Sequence, residues 1–191
     1  RFRAVLVGLA MKDRHAIIFT RNVLIGFLPS AVVGAMAYSA IKAMLQTPQL
    51  VAVALILGGI AILAIERLKP RNTFQSVEAI DLRTALGIGV IQCLSMIPGV
   101  SRSGATIMGA LTLGVDRRTA AEYSFFLAVP TLFAATFYSL YKDRALLSFD
   151  DIGMWVVGFV SAFISAFLCV RWLLRYISSH DFTIFAWYRI V

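Results

Sequence analysis

The sequence is poor in charge. Asp, Glu, Lys and Arg make up only 15% of its 191 residues, and 10 acidic residues stand against 18 basic ones. A soluble domain is about a quarter charged, so this composition excludes an ordinary water-soluble globule. Histidine is scarce. His15 and His180 are the only two, and with no clustered ligands beside them they exclude a zinc hydrolase site. Cys93 and Cys169 lie in separate apolar runs without paired spacing. That excludes a disulfide framework and a cysteine metal site, and leaves both as small core or lipid-facing residues. The chain shows no signal peptide and begins at Arg1, and it is read as a piece lacking its N-terminal part.

What is present is apolar: 60% of the residues are hydrophobic. The composition predicts an all-α polytopic membrane protein, one integral membrane domain over residues 1–191. Apolar runs at residues 22–41, 50–65, 120–141 and 152–170 are read as spans, with a last apolar run at 182–191. The net charge of +8 could suit nucleic acid, but the positive-inside bias of membrane proteins accounts for it, and no nucleic-acid partner is expected.

One stretch organises the rest: Pro98-Gly99-Val100-Ser101-Arg102-Ser103-Gly104. The apolar runs on either side, residues 85–97 and 105–115, are each too short to cross a bilayer, which takes about 20 residues. They predict a re-entrant helical hairpin over about residues 85–115. With Arg102 and Arg189 left out as membrane-embedded, a hairpin that returns to its side of entry puts thirteen of the eighteen Lys and Arg residues on one face and three on the other. A single crossing gives eleven against five. The bias favours the hairpin.

Arg102 then sits at membrane depth, where a charge costs about 2.5–3.5 kcal/mol on insertion scales. The local chemistry suits an anion. Pro98 and Gly99 end the first half-helix, and Ser101 or Ser103 can cap the second. The N–H groups from Val100 to Gly104 and the helix start can hold phosphate oxygens. Gly99 and Gly104 allow close backbone approach, and the Arg102 guanidinium fork matches phosphate geometry. The alternative is a polar turn whose Arg102 pairs with an internal carboxylate. Gln92, in the first half-helix, can line the same cavity as the tip or bond between helices. Glu122 can pair with Arg102 or stay at the interface. Ser95, Thr106 and Thr112 read as helix-packing hydroxyls.

The seven-residue stretch resembles the P-G-x-S-R-S-G motif of the undecaprenyl-diphosphate phosphatases, the bacitracin-resistance type. Glu66-Arg67-Leu68-Lys69-Pro70 is similar to the family's E-x-L-K-P loop. Gly89-Val90-Ile91-Gln92 leads into the motif as it does in the family. Ala121-Glu122-Tyr123-Ser124-Phe125 with Ala128-Val129-Pro130 is similar to its A-S-E-F-S-F…A-V-P segment. The resemblance implies an inverted-repeat architecture of which this chain carries the second hairpin. It implies hydrolysis of undecaprenyl diphosphate to undecaprenyl phosphate, recycling the lipid carrier for peptidoglycan and giving bacitracin resistance. Arg102, Ser101 and Ser103 would be catalytic; Gln92, Gly99, Val100 and Gly104 would bind substrate.

A divalent cation, Mg or Ca, is expected with its ligands mainly outside this chain, as are the reactive serine and histidine. Phe27-Leu28-Pro29-Ser30 is only superficially like the start of the family's L-P-V-S-S-x-G-H motif. The piece is not expected to be active alone. The expected partners are a polyprenyl diphosphate lipid, the membrane and a second copy of the chain. The expected place is the bacterial inner membrane, with the site open to the periplasm. An acid-phosphatase signature does not fit, because no histidine follows Ser101-Arg102 before His180. The main rival is a transporter or flippase of a polyprenyl phosphate or other anion, since broken helices also hold transported anions.

Overall fold

The computed structural model describes residues 2–68, 73–142, 144, 152–177 and 179–191. Lys69 and Pro70, which complete the E-x-L-K-P stretch, and most of the loop after residue 142 lie outside them. The described residues form eight α-helices: α1 (Phe2–Ala10), α2 (Arg14–Met44), α3 (Pro48–Leu68), α4 (Leu82–Gln92), α5 (Arg102–Thr112), α6 (Arg117–Lys142), α7 (Ile152–Tyr176) and α8 (Thr183–Ile190). The protein is an all-α polytopic membrane protein. Helices α2, α3, α6 and α7 have 21 residues or more and are apolar enough to span a bilayer. Each runs past the apolar run read from the sequence. The reason is that a spanning segment must satisfy its own backbone, so the helix continues into polar residues at the interface. Asp13 starts α2 early, its carboxylate accepting from the N–H groups of His15 and Ala16. Large apolar side chains such as Leu28, Val32, Phe133, Phe137, Phe159 and Phe163 face outward, as lipid-facing surfaces require.

Helices α4 and α5 form a hairpin between the longer helices. They run antiparallel: Gly87 abuts Leu113, and Gly109 abuts Ile91. Each has eleven residues, about 16 Å of helix, roughly half the hydrocarbon thickness. The first helix ends earlier than expected. A 3₁₀ turn, Cys93–Met96, follows Gln92 and leads to the tip. That turn stops at Ile97, which is extended because the residue before a proline avoids the helical region.

The hairpin is buried against α2 and α6. Ala85, Ile88, Ala110, Tyr123 and Leu127 are fully or almost fully enclosed. The closest approach is between α2 and α4, where a Cβ on Gly89 would overlap the carbonyl of Gly26. Small residues of this kind let membrane helices come within backbone contact. Polar cross-ties fix the register. Tyr123 donates to Asn22 O at 3.1 Å, and Asn22 Nδ2 donates to Ile80 O at 2.9 Å. At the open end of the hairpin, Thr73 and Phe74 donate to Gly114 O, and Asp116 N donates back to Phe74 O at 2.8 Å.

The last apolar run forms the helix α8, which packs across α3 where Gly59 leaves room for Ala186 and Ile190. Glu66, near the end of α3, pairs with Arg117 at the start of α6. Helix α7 has no buried residue among those described.

Gly89→Ala is expected to destabilise the fold by about 1–3 kcal/mol through overpacking, read as a lower midpoint of thermal unfolding in detergent. Asp81 caps α4 and is bonded to Thr84, chiefly through side chains and also through the Thr84 N–H at 2.8 Å, which holds its carboxyl below the usual range. A lowered folded pKa stabilises above the unfolded range and is lost as pH falls below about 4. Asp81→Ala should therefore cost about 1 kcal/mol at neutral pH. The difference from the parent should close as pH falls through that window.

Candidate functional site

The tip that joins α4 to α5 is shaped by its backbone. Val100 N donates to Ile97 O at 3.0 Å, and Gly99 takes φ +94°. That region favours glycine. A Cβ on Gly99 would also collide with the carbonyl of Val51 in α3. Gly99 thus makes the turn and lets the tip lie against α3.

Ser101 caps α5. Its Oγ accepts from Gly104 N at 3.1 Å and lies 3.2 Å from Ser103 Oγ. A β-carbon on Gly104 would sit 3.1 Å from that of Ser101, so the missing side chain keeps the cap tight. The whole run of N–H groups from Val100 to Gly104 is not open, as the sequence suggested. Val100 and Gly104 spend theirs on the turn and the cap. The N–H groups of Arg102 and Ser103 remain at the helix start, where the partial positive charge of the backbone is largest.

Arg102 points from the start of α5 toward α6. Its Nη1 donates to Ser124 O at 2.9 Å, beside a 2.6 Å contact between the hydroxyls of Thr106 and Ser124. Among the described residues no carboxylate pairs with it. The alternative of a structural Arg102–carboxylate pair is not found among the described residues.

A second guanidinium reaches the same tip. Arg189, near the end of α8, crosses α3 at Gly58 and donates from Nη2 to Gly99 O at 2.7 Å. A Cβ on Gly58 would stand 2.5 Å from that nitrogen. Reading the sequence left Arg189 aside as one more membrane-embedded cation. The signal that singled out Arg102, a charge inside an apolar run, was present for Arg189 too.

Ser101, Gly104 and Arg189 form the polar end of a groove of about 490 Å³ between α3 and the hairpin, walled by residues such as Leu57, Ile62, Leu94 and Met108. Gln92 is elsewhere. Its Nε2 donates to Ser30 Oγ at 2.8 Å and to Thr131 Oγ1 at 3.3 Å. It lines a separate cavity of about 350 Å³ among α2, α4 and α6, together with Ser95. The expectation that Gln92 shares the cavity of the tip is corrected. Its position on α4 faces α2 and α6, while the groove lies on the α3 side.

Among the described residues no three His, Cys, Asp or Glu side chains stand together. This donor set does not fit a divalent cation by itself. What the arrangement offers is charge for an anion: a helix start that begins with Arg102, and an apolar groove that ends at Ser101, Gly104 and Arg189, with no ion-paired carboxylate on either arginine among the described residues.

Comparison with known proteins agrees with this chemistry. The model of the family described as "Bacitracin resistance protein BacA" matches residues 2–191. A protein of Rhizorhabdus wittichii named undecaprenyl-diphosphatase is 64% identical over 191 residues, all of this chain and 72% of the relative. A protein of the same name from Sphingopyxis alaskensis is 57% identical over the same shares. One from Dechloromonas aromatica is 56% identical over 172 residues, 90% of this chain and 63% of its own length.

Gly58→Val should push Arg189 off the tip. A charged hydrogen bond contributes about 1.5–3 kcal/mol, so binding of inorganic pyrophosphate, followed by titration calorimetry, is expected to weaken about tenfold or more.

Proposed function

Because the chain belongs to the bacitracin resistance protein family, we propose that it hydrolyses undecaprenyl diphosphate to undecaprenyl phosphate and inorganic phosphate. This recycles the lipid carrier of peptidoglycan synthesis and gives resistance to bacitracin. The observation that carries the reading is the helix start capped by Ser101, with Arg102 as the first residue of that helix and Arg189 bonded to the Gly99 carbonyl on the groove side; among the described residues neither arginine forms an ion pair with a carboxylate.

Hydrolysis joins a water oxygen to the terminal phosphorus and breaks the anhydride P–O bond. Negative charge spreads over the transferring group and the leaving phosphate, and catalysis rests on positioning and on stabilising that charge. Arg102 and the N–H of Ser103 hold the terminal phosphate. Arg189 and Ser101 share the polar end of the groove, so they hold the phosphate bonded to the prenyl chain. The first isoprene units lie along the apolar walls. Gln92 sits in its own cavity and acts through the packing of α4 against α2 and α6. A divalent cation, Mg or Ca, belongs to the proposal only through ligands supplied elsewhere.

The hairpin enters the inner membrane from the cytoplasmic side, and its tip faces a cavity open to the periplasm. This placement is supported by the positive-inside count and by two helices too short to cross.

The test is phosphate release from undecaprenyl diphosphate in detergent by the product of the whole gene. Arg102→Ala is expected to lower kcat/KM about 100-fold to 1000-fold, the usual cost of one transition-state donor, with the folded fraction unchanged. A folded protein that binds the lipid and releases no phosphate would replace this reading with that of a polyprenyl-phosphate carrier.

A further inference from the structure

We infer that Glu66 is a positioning residue: it anchors α8 on α3 so that Arg189 reaches the hairpin tip. Only the kinetic part of its test rests on the proposed phosphatase reading.

Helix α8, eight residues among those described, about 12 Å, draws its stability from what it packs against and from its cap, as helices in proteins generally do. Its first cap position is Phe182, whose side chain can accept nothing. The acceptor comes from another helix. Glu66 Oε1 takes the Phe182 N–H at 3.1 Å. The neighbouring Asp181 accepts from Thr183 N at 3.1 Å, so α8 begins between two carboxylates, which the helix dipole favours. The other oxygen of Glu66 pairs with Arg117. The Glu66 side chain is 7% exposed, so its charge is compensated by these partners rather than by water.

From that anchor α8 crosses α3 in contact. Ala186 is fully buried, and a Cβ on Gly59 would stand 2.8 Å from Ala186 O. At the far end Arg189 bonds to Gly99 O. The helix is a splint fixed at its start by Glu66 and at its end by the tip. Arg117 stands where α5 turns into α6, so the same carboxylate ties the foot of the hairpin to the helix that braces its tip. If the anchor is removed, the N-terminal turn of α8 frays and Arg189 loses its fixed reach.

The experiment compares Glu66→Ala, Arg189→Ala and the double variant with the parent, all as the product of the whole gene in detergent. Hydrogen exchange of the segment 97–104 reads the tip without turnover, and steady-state phosphate release reads the site. Glu66→Ala is expected to speed tip exchange about tenfold and to lower kcat about tenfold, with KM changed less than twofold. Added to Arg189→Ala, it should change either quantity less than twofold, because it acts through that residue. Glu66→Gln keeps an oxygen for Phe182 N and should recover most of the tip protection. Glu66→Asp keeps the charge but shortens the reach. It should loosen the tip about threefold, which covers the case of a Glu66→Ala protein that does not fold. Unchanged tip exchange in a folded variant would overturn the inference, as would effects of Glu66→Ala and Arg189→Ala that multiply. A loosened tip in a protein whose parent releases no phosphate would keep the positioning role and sink the phosphatase reading.

Discussion

A guanidinium held in an apolar setting must have its charge borne by something, and among the described residues the partners of both arginines are main-chain carbonyls. Arg102 rests on the carbonyl of Ser124 and Arg189 on the carbonyl of Gly99. Carbonyls solvate a cation without cancelling it. A carboxylate in either place would give a closed pair with no field left over. The net positive potential at the tip is therefore a property of the partners as much as of the arginines. In a low-dielectric surrounding such a potential acts strongly on an anion.

Keeping those carbonyls in place depends on close backbone packing. Gly89 lets α4 touch α2, Gly99 lets the tip touch α3, and Gly58 leaves a passage for Arg189. Each missing side chain brings a main-chain oxygen or a guanidinium where a methyl group would exclude it. Near these contacts Tyr123 and Asn22 are cross-tied. A close-packed interior transmits small shifts, so a helix displaced by one methyl group misplaces the charge it supports.

Much of this could be read from the sequence. The spans stood out as apolar runs, and the short half-helices on either side of residues 98–104 followed from their length and from Pro98. The Ser101 cap followed from side-chain chemistry, one of two serines able to serve. What could not be read were relations between distant parts of the chain. Nothing in the composition of residues 182–191 says that Arg189 turns back across Gly58, because that depends on how α8 lies on α3. The face of α4 that carries Gln92 was equally invisible, since both faces of that helix are apolar and its packing partners decide which cavity a residue lines. The structural use of Glu66 was hidden for the same reason: its partners, Arg117 and Phe182, are 51 and 116 residues away.

The bond from Arg189 to Gly99 spans 90 residues, and that separation has a consequence for biosynthesis. A ribosome releases the hairpin long before it releases α8. During that interval the carbonyl of Gly99 has no guanidinium to meet, and the groove beside it has one wall fewer. Until α8 docks, the polar turn of the nascent hairpin lacks this partner. The order of synthesis makes the charged site mature late, after the spans α2, α3, α6 and α7 have been made.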